Sequence, residues 1–384
     1  MALKFAHLGD CHLGGWKEQG LRLLNFQSFQ KAIDKCISEK VDFVIITGDL
    51  FDAAYPSIET LKETFQEFKR LYIERIPVFL IAGSHDYSAS GKTFLDVLEK
   101  AGFCKNVAVS EERNESIMLH PTLYKNVAFY GYPGKKTGLE VDDIQRIKIH
   151  DSPGMFKILL LHTAIKDAVG TLPIKAVDHE KLPKVDYLAL SHLHVLYNRQ
   201  NRVYSGPTFP NSISELEELK AGYFCIFDNG KIRREEIKIK EVVVVNCIID
   251  DAREAAHTIM ESLENEFIKD KILILKLSGI IEKGKISDID FRAIEDYVKK
   301  REVFTFIKST SKLHLSENEL KIDLSETNNL EDNIIKKFEE SNPSKFNIHI
   351  QGLMKVLQSE KLDEERTAVF EERVLSDIKK ILSL

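Results

Sequence analysis

Phe43-Val44-Ile45-Ile46-Thr47-Gly48-Asp49-Leu50-Phe51-Asp52 runs from four apolar residues straight into a glycine and two carboxylates. A short apolar run bounded by glycine reads as a buried strand. An acid placed just after it sits at the strand's carboxyl end. The same construction recurs on either side: Leu3–Leu8 leads into Asp10-Cys11-His12, and Val78-Phe79-Leu80-Ile81 into Gly83-Ser84-His85-Asp86. Downstream, Ile158–Leu161 delivers His162, and Tyr187–Leu190 delivers His192-Leu193-His194. In an open α/β sheet the carboxyl ends of the strands share one crevice. These side chains are therefore expected to converge, although nearly two hundred residues separate the first from the last.

Between the strands lie helical stripes. Phe26, Phe29, Ile33, Cys36 and Ile37 form one, and Leu61, Phe65, Phe68 and Leu71 form another in a helix expected to open at Pro56. A third, shorter helix ends at Ala101-Gly102. This β-α-β-α-β alternation predicts a largely parallel sheet. From Val107 to Lys240 shorter strands take over, and Asp228-Asn229-Gly230 marks a hairpin. The expected fold class is α/β: two sheets packed together with helices outside, over residues 1–240. Residues 241–325 then read strand, helix (252–267), strand (272–277), helix (288–300), strand (304–308), a small α+β domain. Residues 326–384 carry three amphipathic stripes: Leu330, Ile334, Ile335 and Phe338; Leu353, Met354 and Leu357; Phe370, Val374, Ile378 and Ile381.

At 384 residues the chain exceeds the size at which one core stops growing, so more than one domain is expected. A hydrophobic content of 43% with 30% charged residues describes a soluble globular protein. Its apolar runs fall far short of the roughly 20 residues needed to cross a bilayer. Met1-Ala2-Leu3-Lys4 leads directly into a strand, which leaves no room for a signal peptide. Five scattered cysteines without a CxxC pair suit reduced thiols, hence a cytoplasmic setting and no membrane partner. A net charge of −6 argues against a base-coated nucleic-acid binder but leaves local basic faces open. Lys135-Lys136, Arg199 with Arg202, Lys231 with Arg233 and Arg234, and Lys299-Lys300-Arg301 are the candidates.

Hydrolysis of a phosphodiester needs neutralised phosphoryl oxygens, a hydroxide at neutral pH and a stabilised leaving oxygen. Two divalent ions held about 3.5–4 Å apart supply the first two together. A bridging carboxylate with terminal carboxylate and imidazole ligands can hold them. That mixture suits manganese, iron or zinc better than an all-oxygen magnesium site. The constellation thus reads as a two-metal phosphoesterase site.

The blocks resemble the calcineurin-like metallophosphoesterase superfamily, whose pattern is D-x-H, GD, GNH(D/E), H and H-x-H. All five are present in order. Asp10-Cys11-His12-Leu13-Gly14, Thr47-Gly48-Asp49-Leu50-Phe51-Asp52 and the C-terminal extension further resemble the SbcD-type DNA double-strand-break repair nucleases, here of archaeal type, whose eukaryotic member is Mre-eleven. The resemblance implies two Mn²⁺ per chain. One would be held by Asp10, His12, Asp49 and His194. The other would be held by Asp49, His162, His192 and Ser84, with Asp49 bridging. It implies that His85 faces the scissile phosphate, as general acid for the leaving O3′ or as a transition-state donor, with Asp86 orienting it. It also implies double-strand exonuclease and single-strand endonuclease action on DNA, docking of the C-terminal helices on an SbcC/Rad-fifty-type coiled-coil ATPase, a capping role for 241–325, and a homodimer through helices that include the Phe65, Phe68, Tyr72 stripe.

One position departs from the pattern. Ser84 stands where the superfamily usually has Asn, and its shorter hydroxyl leaves direct coordination, coordination through water and no coordination all open. A lone histidine at a strand end is more often a hydrogen-bonded structural residue, the reading taken for His7, His120, His150, His179 and His257. Asp52 and Asp86 are equally readable as turn or capping residues, and Trp16 reads as packing against its loop rather than stacking on a nucleotide. Two other functions fit the motifs: a phosphatase or cyclic-nucleotide phosphodiesterase on the same core, and a DNA- or ATPase-binding scaffold with a weakened metal site.

Overall fold

The computed structural model describes residues 3–88, 91–113, 115–136, 138–170, 173–315, 344, 347–359 and 367–382. The apolar runs form two six-stranded sheets. In the first, Lys4–Leu8, Phe43–Ile46, Val78–Leu80 and Lys105–Asn106 lie parallel, and the hairpin Gly222–Asp228 with Lys231–Ile237 adds antiparallel beside Lys4–Leu8. In the second, Val127–Tyr132, Phe156–His162, Tyr187–Ser191 and Arg202–Tyr204 lie parallel between antiparallel edge strands Thr122–Tyr124 and Tyr197–Arg199. The hairpin turns on Asn229 and Gly230, both at positive φ (50° and 86°), the backbone its Asn-Gly sequence favours.

Alternation along the strands divides the apolar side chains into layers. From the first sheet, Phe5, Phe43, Ile45 and Phe79 meet Phe129, Ile158, Leu160 and Tyr187 of the second in one buried core. Phe5 stacks on Phe43 at 5.0 Å and on Phe227 at 4.7 Å, and Phe79 stacks on Phe129 at 4.0 Å. The intervening residues, Ala6, Leu8, Val44, Ile46 and Leu80, face the helices instead, packing with Phe29, Ile33, Phe68 and Leu71. The expected two-sheet sandwich with helices outside is therefore the fold.

Helix Ile58–Ile73 starts later than Pro56 suggested, because Ser57 is the better cap: its Oγ accepts from the Thr60 N–H at 3.1 Å, satisfying a donor that proline cannot. Its aromatic stripe divides. Phe68 is fully buried, whereas Tyr72 is 62% exposed and rests edge-on against Phe103.

Contacts group the described residues into two compact units, the first comprising residues up to Cys247 with Ala256–Leu277 and Phe291–Thr310. Val242–Ile248, Ile272–Ile281 and Thr305–Leu315 form a three-stranded sheet. Within the first unit Ile272, Ile274 and Ile307 close a core with Trp16, Leu21, Leu24, Phe209 and Leu216. Trp16 packs in that core and donates from Nε1 to the Pro210 carbonyl at 2.9 Å. In the second unit, Ile249 N–H donates to the Ser278 carbonyl at 2.8 Å beside Gly279, whose φ is +126°. A Cβ at Gly279 would lie 2.5 Å from the Ile249 carbonyl oxygen. Helices Ile350–Leu357 and Thr367–Leu382 of this unit carry the second and third stripes; Ile381 closes on Gly352, about whose position a Cβ would be in ordinary contact at 3.5 Å. The first stripe, at 330–338, lies outside the described residues.

His7 is fully buried in the first strand, with Nδ1 3.1 Å from Tyr187 Oη and Nε2 3.1 Å from Thr47 Oγ1. Burial lowers its pKa to about 3. The sign follows from linkage: the unfolded chain takes up a proton near pH 6.5 that the folded chain refuses, so stability present above pH 6.5 is lost as pH falls toward 3. We expect His7→Gln, which keeps both hydrogen-bonding ends but cannot titrate, to lose less stability than wild type between pH 6.5 and 4. Parallel slopes in thermal melts across that range would refute this.

Candidate metal centre

Each strand end delivers its side chains by a tight turn, and the turns are zipped to one another. Asp10 N–H donates to the Gly48 carbonyl at 3.1 Å and His12 N–H to the Asp49 carbonyl at 2.9 Å. A Cβ at Gly48, where φ is +101°, would lie 2.6 Å from His162 Nδ1, so only glycine lets these two sheets meet here. Asp10, His12, Asp49, His192 and His194 all have positive φ, at 49°, 44°, 50°, 98° and 53°. Non-glycine residues held in that region cost on the order of 1–3 kcal/mol each and concentrate at functional sites.

The turns bring the expected residues together from both sheets. Asp10, His12 and His194 offer atoms all within 4.8 Å of one another, as do Asp10, Asp49 and His162. Asp49 Oδ2 lies 3.7 Å from His12 Nε2 and 3.3 Å from His162 Nε2, so one carboxylate addresses both groups. His192 lines the same cavity of about 810 Å³ together with Ser84, His85 and His194, and its ring packs edge-on to His162 at 5.1 Å. Its main-chain N–H donates to both Asp10 oxygens at 3.0 Å. Ser84 Oγ reaches only Asp49 Oδ2, at 3.4 Å.

The donor set fits a cation. His162 Nδ1 faces the Thr47 carbonyl at 3.1 Å, an oxygen that can only accept, so Nδ1 carries a hydrogen and Nε2 is the nitrogen that offers a lone pair whenever the ring is neutral. That Nε2 is buried, makes no hydrogen bond and points at the Asp49 carboxylate. His12 and His194 likewise direct Nδ1 at carboxylates, Asp52 at 3.2 Å and Glu215 at 3.1 Å, leaving their Nε2 atoms 3.1 Å apart. Acceptors turned toward one another repel unless a positive charge sits between them. The protein on its own can supply only protons. Burial alone would lower His162, but the Asp49 and Asp10 carboxylates outweigh it and lift its pKa to about 9; Asp10 and Glu215 lift His194 to about 9 against the same burial. Asp49 is held well below the usual carboxylate range, its burial outweighed by His162 and His12.

Asp86 requires a correction to its expected role. Its carboxylate accepts from the main-chain N–H groups of Gly83 at 2.9 Å, Phe51 at 3.0 Å and Leu50 at 3.3 Å, and it does not reach the His85 ring. It ties the second and third strand-end turns together. Burial, with the Asp49 charge adding to it, pushes its pKa up to about 6. The ring of His85 is held by Asp52 instead: Nδ1 lies 2.7 Å from the Asp52 carbonyl oxygen and 4.0 Å from its carboxylate. Asp52, His12 and His85 form a third converging group. Glu215 and Asn211 were not anticipated, since Ser212-x-x-Glu215 reads as an ordinary capping box. The other histidines read as structural are engaged elsewhere: His120 stacks on His150, His179 meets Asp167 at 2.8 Å, and exposed His257 meets Glu261 at 3.6 Å.

The chain belongs to the calcineurin-like phosphoesterase family, whose model matches residues 3–208. Within that class it is similar to proteins named DNA double-strand break repair protein Mre11. It is 27% identical over 311 residues to that of Methanosarcina acetivorans, covering 77% of this chain and 48% of the relative. It is 25% identical over 324 residues to that of Archaeoglobus fulgidus, covering 78% and 72%. An uncharacterized metallophosphoesterase, YhaO of Bacillus subtilis, is 28% identical over 265 residues, covering 65% and 63%. The chain spans about half the length of the Methanosarcina relatives.

The strained turns generate a stability prediction. His192 is exposed yet held at φ 98°. Chelator-treated His192→Gly is expected to unfold at higher denaturant than chelator-treated wild type, by on the order of 1 kcal/mol, because glycine accepts that backbone without strain. A lower midpoint for the variant would show that the ring contributes more packing than the turn costs.

Proposed function

We propose that this chain is a metal-dependent nuclease that hydrolyses DNA phosphodiesters in double-strand-break repair, with Asp10, His12, Asp49 and His194 holding one ion and Asp49, His162 and His192 a second. The observation that carries the reading is the set of inward-facing lone pairs and carboxylates that share Asp49 in one open cavity. When bound, the ions would neutralise phosphoryl oxygens and lower the pKa of a bound water. The imidazole-rich donor set favours Mn²⁺ over Mg²⁺. The similarity to proteins named for DNA double-strand break repair supports DNA as the substrate, and the reading extends to cleavage of both duplex ends and single strands.

The chain's own residues divide the remaining work. Asp10 takes the His192 N–H and so fixes the His192-Leu193-His194 turn against the first strand. His85, with 47% of its side chain exposed, stands at the cavity with Nδ1 committed to Asp52, which leaves Nε2 to meet substrate as a proton or hydrogen-bond donor. Residues 241–325 serve in this reading as a cap that shapes access. Helices Ile350–Leu357 and Thr367–Leu382, with Leu357 68% and Leu375 56% exposed, serve as the dock for an SbcC/Rad-fifty-type ATPase. Exposed Ile58, Tyr72 and Ile73 support a homodimer contact on the second helix. Among the basic clusters, Lys135 pairs with Asp143, Arg202 with Asp167, Arg233 with Glu39, and Arg301 caps carbonyls of Leu263 and Glu266. A grip on a DNA backbone would therefore rest on their neighbours.

Assays on hairpin, blunt and single-stranded DNA with Mn²⁺ or Mg²⁺ test the reading directly. His85→Gln should lower cleavage by about 10²–10⁴-fold while metal analysis finds the wild-type ion content. Loss of one ion would make His85 a ligand instead.

Ser84→Asn should lower the Mn²⁺ concentration for half-maximal activity by about 10–100-fold, because an amide oxygen reaches further than the hydroxyl that now touches only Asp49. The gain should vanish at saturating Mn²⁺. An unchanged or higher midpoint would show that the site needs no ligand at this position.

A further inference from the structure

We propose that Asn211 is a positioning residue that locks the tautomers of His12 and His194 through two carboxylates. Its main-chain N–H donates to Glu215 Oε2 at 2.9 Å, and its side-chain amide donates to Asp52 Oδ1 at 3.2 Å. These are the same oxygens that take the outer nitrogens of the ligand pair: Glu215 Oε2 faces His194 Nδ1 at 3.1 Å, and Asp52 Oδ1 faces His12 Nδ1 at 3.2 Å. One residue thus braces the back of two imidazoles that come from opposite sheets, and their front nitrogens are left 3.1 Å apart. A neutral imidazole carries one N–H, so a carboxylate at Nδ1 fixes Nε2 as the lone pair.

Two further observations separate this arrangement from a helix cap alone. A Cβ at Gly15 would fall 2.7 Å from Asn211 Oδ1 and 3.0 Å from the Asp52 carboxylate, so a glycine makes room for the bracing pair. Glu215 also divides its oxygens: Oε1 faces Ser212 Oγ at 3.2 Å, while Oε2 serves Asn211 and His194. A capping box would direct the carboxylate to the Ser212 main-chain N–H and asks nothing of His194. The inference rests on the proposed reading of His12 and His194 as metal ligands, since an ion is what two converging Nε2 lone pairs would serve.

The test uses the full chain and Mn²⁺ alone as the probe. Calorimetric titration should give Glu215→Ala a Mn²⁺ affinity about 10–100-fold weaker than wild type, and Glu215→Gln, whose amide oxygen can still accept from both donors, should recover most of that loss. Asn211→Ala and Gly15→Ala should weaken binding in the same direction through the Asp52 side. In the metal-free protein held well above pH 9, where His194 is a neutral imidazole, ¹⁵N shifts of the imidazoles should report Nδ1–H for both His12 and His194 in wild type. A tautomer mixture should appear at His194 in Glu215→Ala and at His12 in Asn211→Ala. If instead the variants only melt earlier, with wild-type tautomers and Mn²⁺ affinity, Glu215 and Asn211 are a helix cap and the inference fails. If wild type takes up no Mn²⁺, the ligand reading falls, and the tautomer shifts still decide whether the lock exists.

Discussion

The rest of the site depends on what happens to Nδ1. In His12, His85, His162 and His194 that nitrogen is committed to an oxygen: the Asp52 carboxylate, the Asp52 carbonyl, the Thr47 carbonyl and the Glu215 carboxylate. The result is a wall of Nε2 atoms set against the Asp10 and Asp49 carboxylates. Left without positive charge, such a wall repels itself, and in the bare protein the carboxylates answer by raising the proton affinity of His162 and His194. A proton relieves the repulsion one contact at a time. A divalent ion relieves several at once, which is why the same geometry that is awkward as a protein interior is well suited as a ligand set.

Such an arrangement has to be imposed from outside, and the two sheets impose it. Their shared core of stacked Phe5, Phe43, Phe79, Phe129 and Phe227 fixes the strands rigidly enough that the turns beyond them can be held at positive φ. Burying one such ring contributes about 1.5–3 kcal/mol, comparable to the cost of one strained turn residue. Asp86 then joins the turns from below by accepting three main-chain N–H groups, and Ser191 joins the sheets by donating to the Thr47 carbonyl. Stability accumulated in the sheets is thus spent where the strands end.

Much of this was legible in the chain. Four or five apolar residues followed by glycine, aspartate or histidine mark a strand end whichever sheet it joins, and the five such places converge as expected. What escaped were contacts whose meaning depends on direction rather than residue type. Asp86 follows His85 in sequence, yet the turn sends its carboxylate back toward Gly83 and Phe51. Glu215 satisfies a capping pattern whether or not a histidine stands behind it. Ser57 displaced Pro56 as the helix start through a hydrogen bond that composition does not rank. Trp16 meets Ile272 and Ile307 across more than two hundred and fifty residues, a pairing no local pattern encodes.

The shared tautomer also clarifies why one histidine of the group would work differently from the others. His12 and His162 have only 2% and 1% of their side chains exposed, and His194 has 18%, whereas His85 has 47%. A buried Nε2 among carboxylates is held in place by the charges around it and, on the proposed reading, offers its lone pair to an ion. An Nε2 on a half-exposed ring can exchange protons with solvent and meet a substrate oxygen directly. Both His12 and His85 are held by Asp52, and their rings meet edge-on at 4.8 Å. Through that one residue, on the proposed reading, the position of the proton-handling ring is tied to the position of a metal ligand, so a shift in either moves the other.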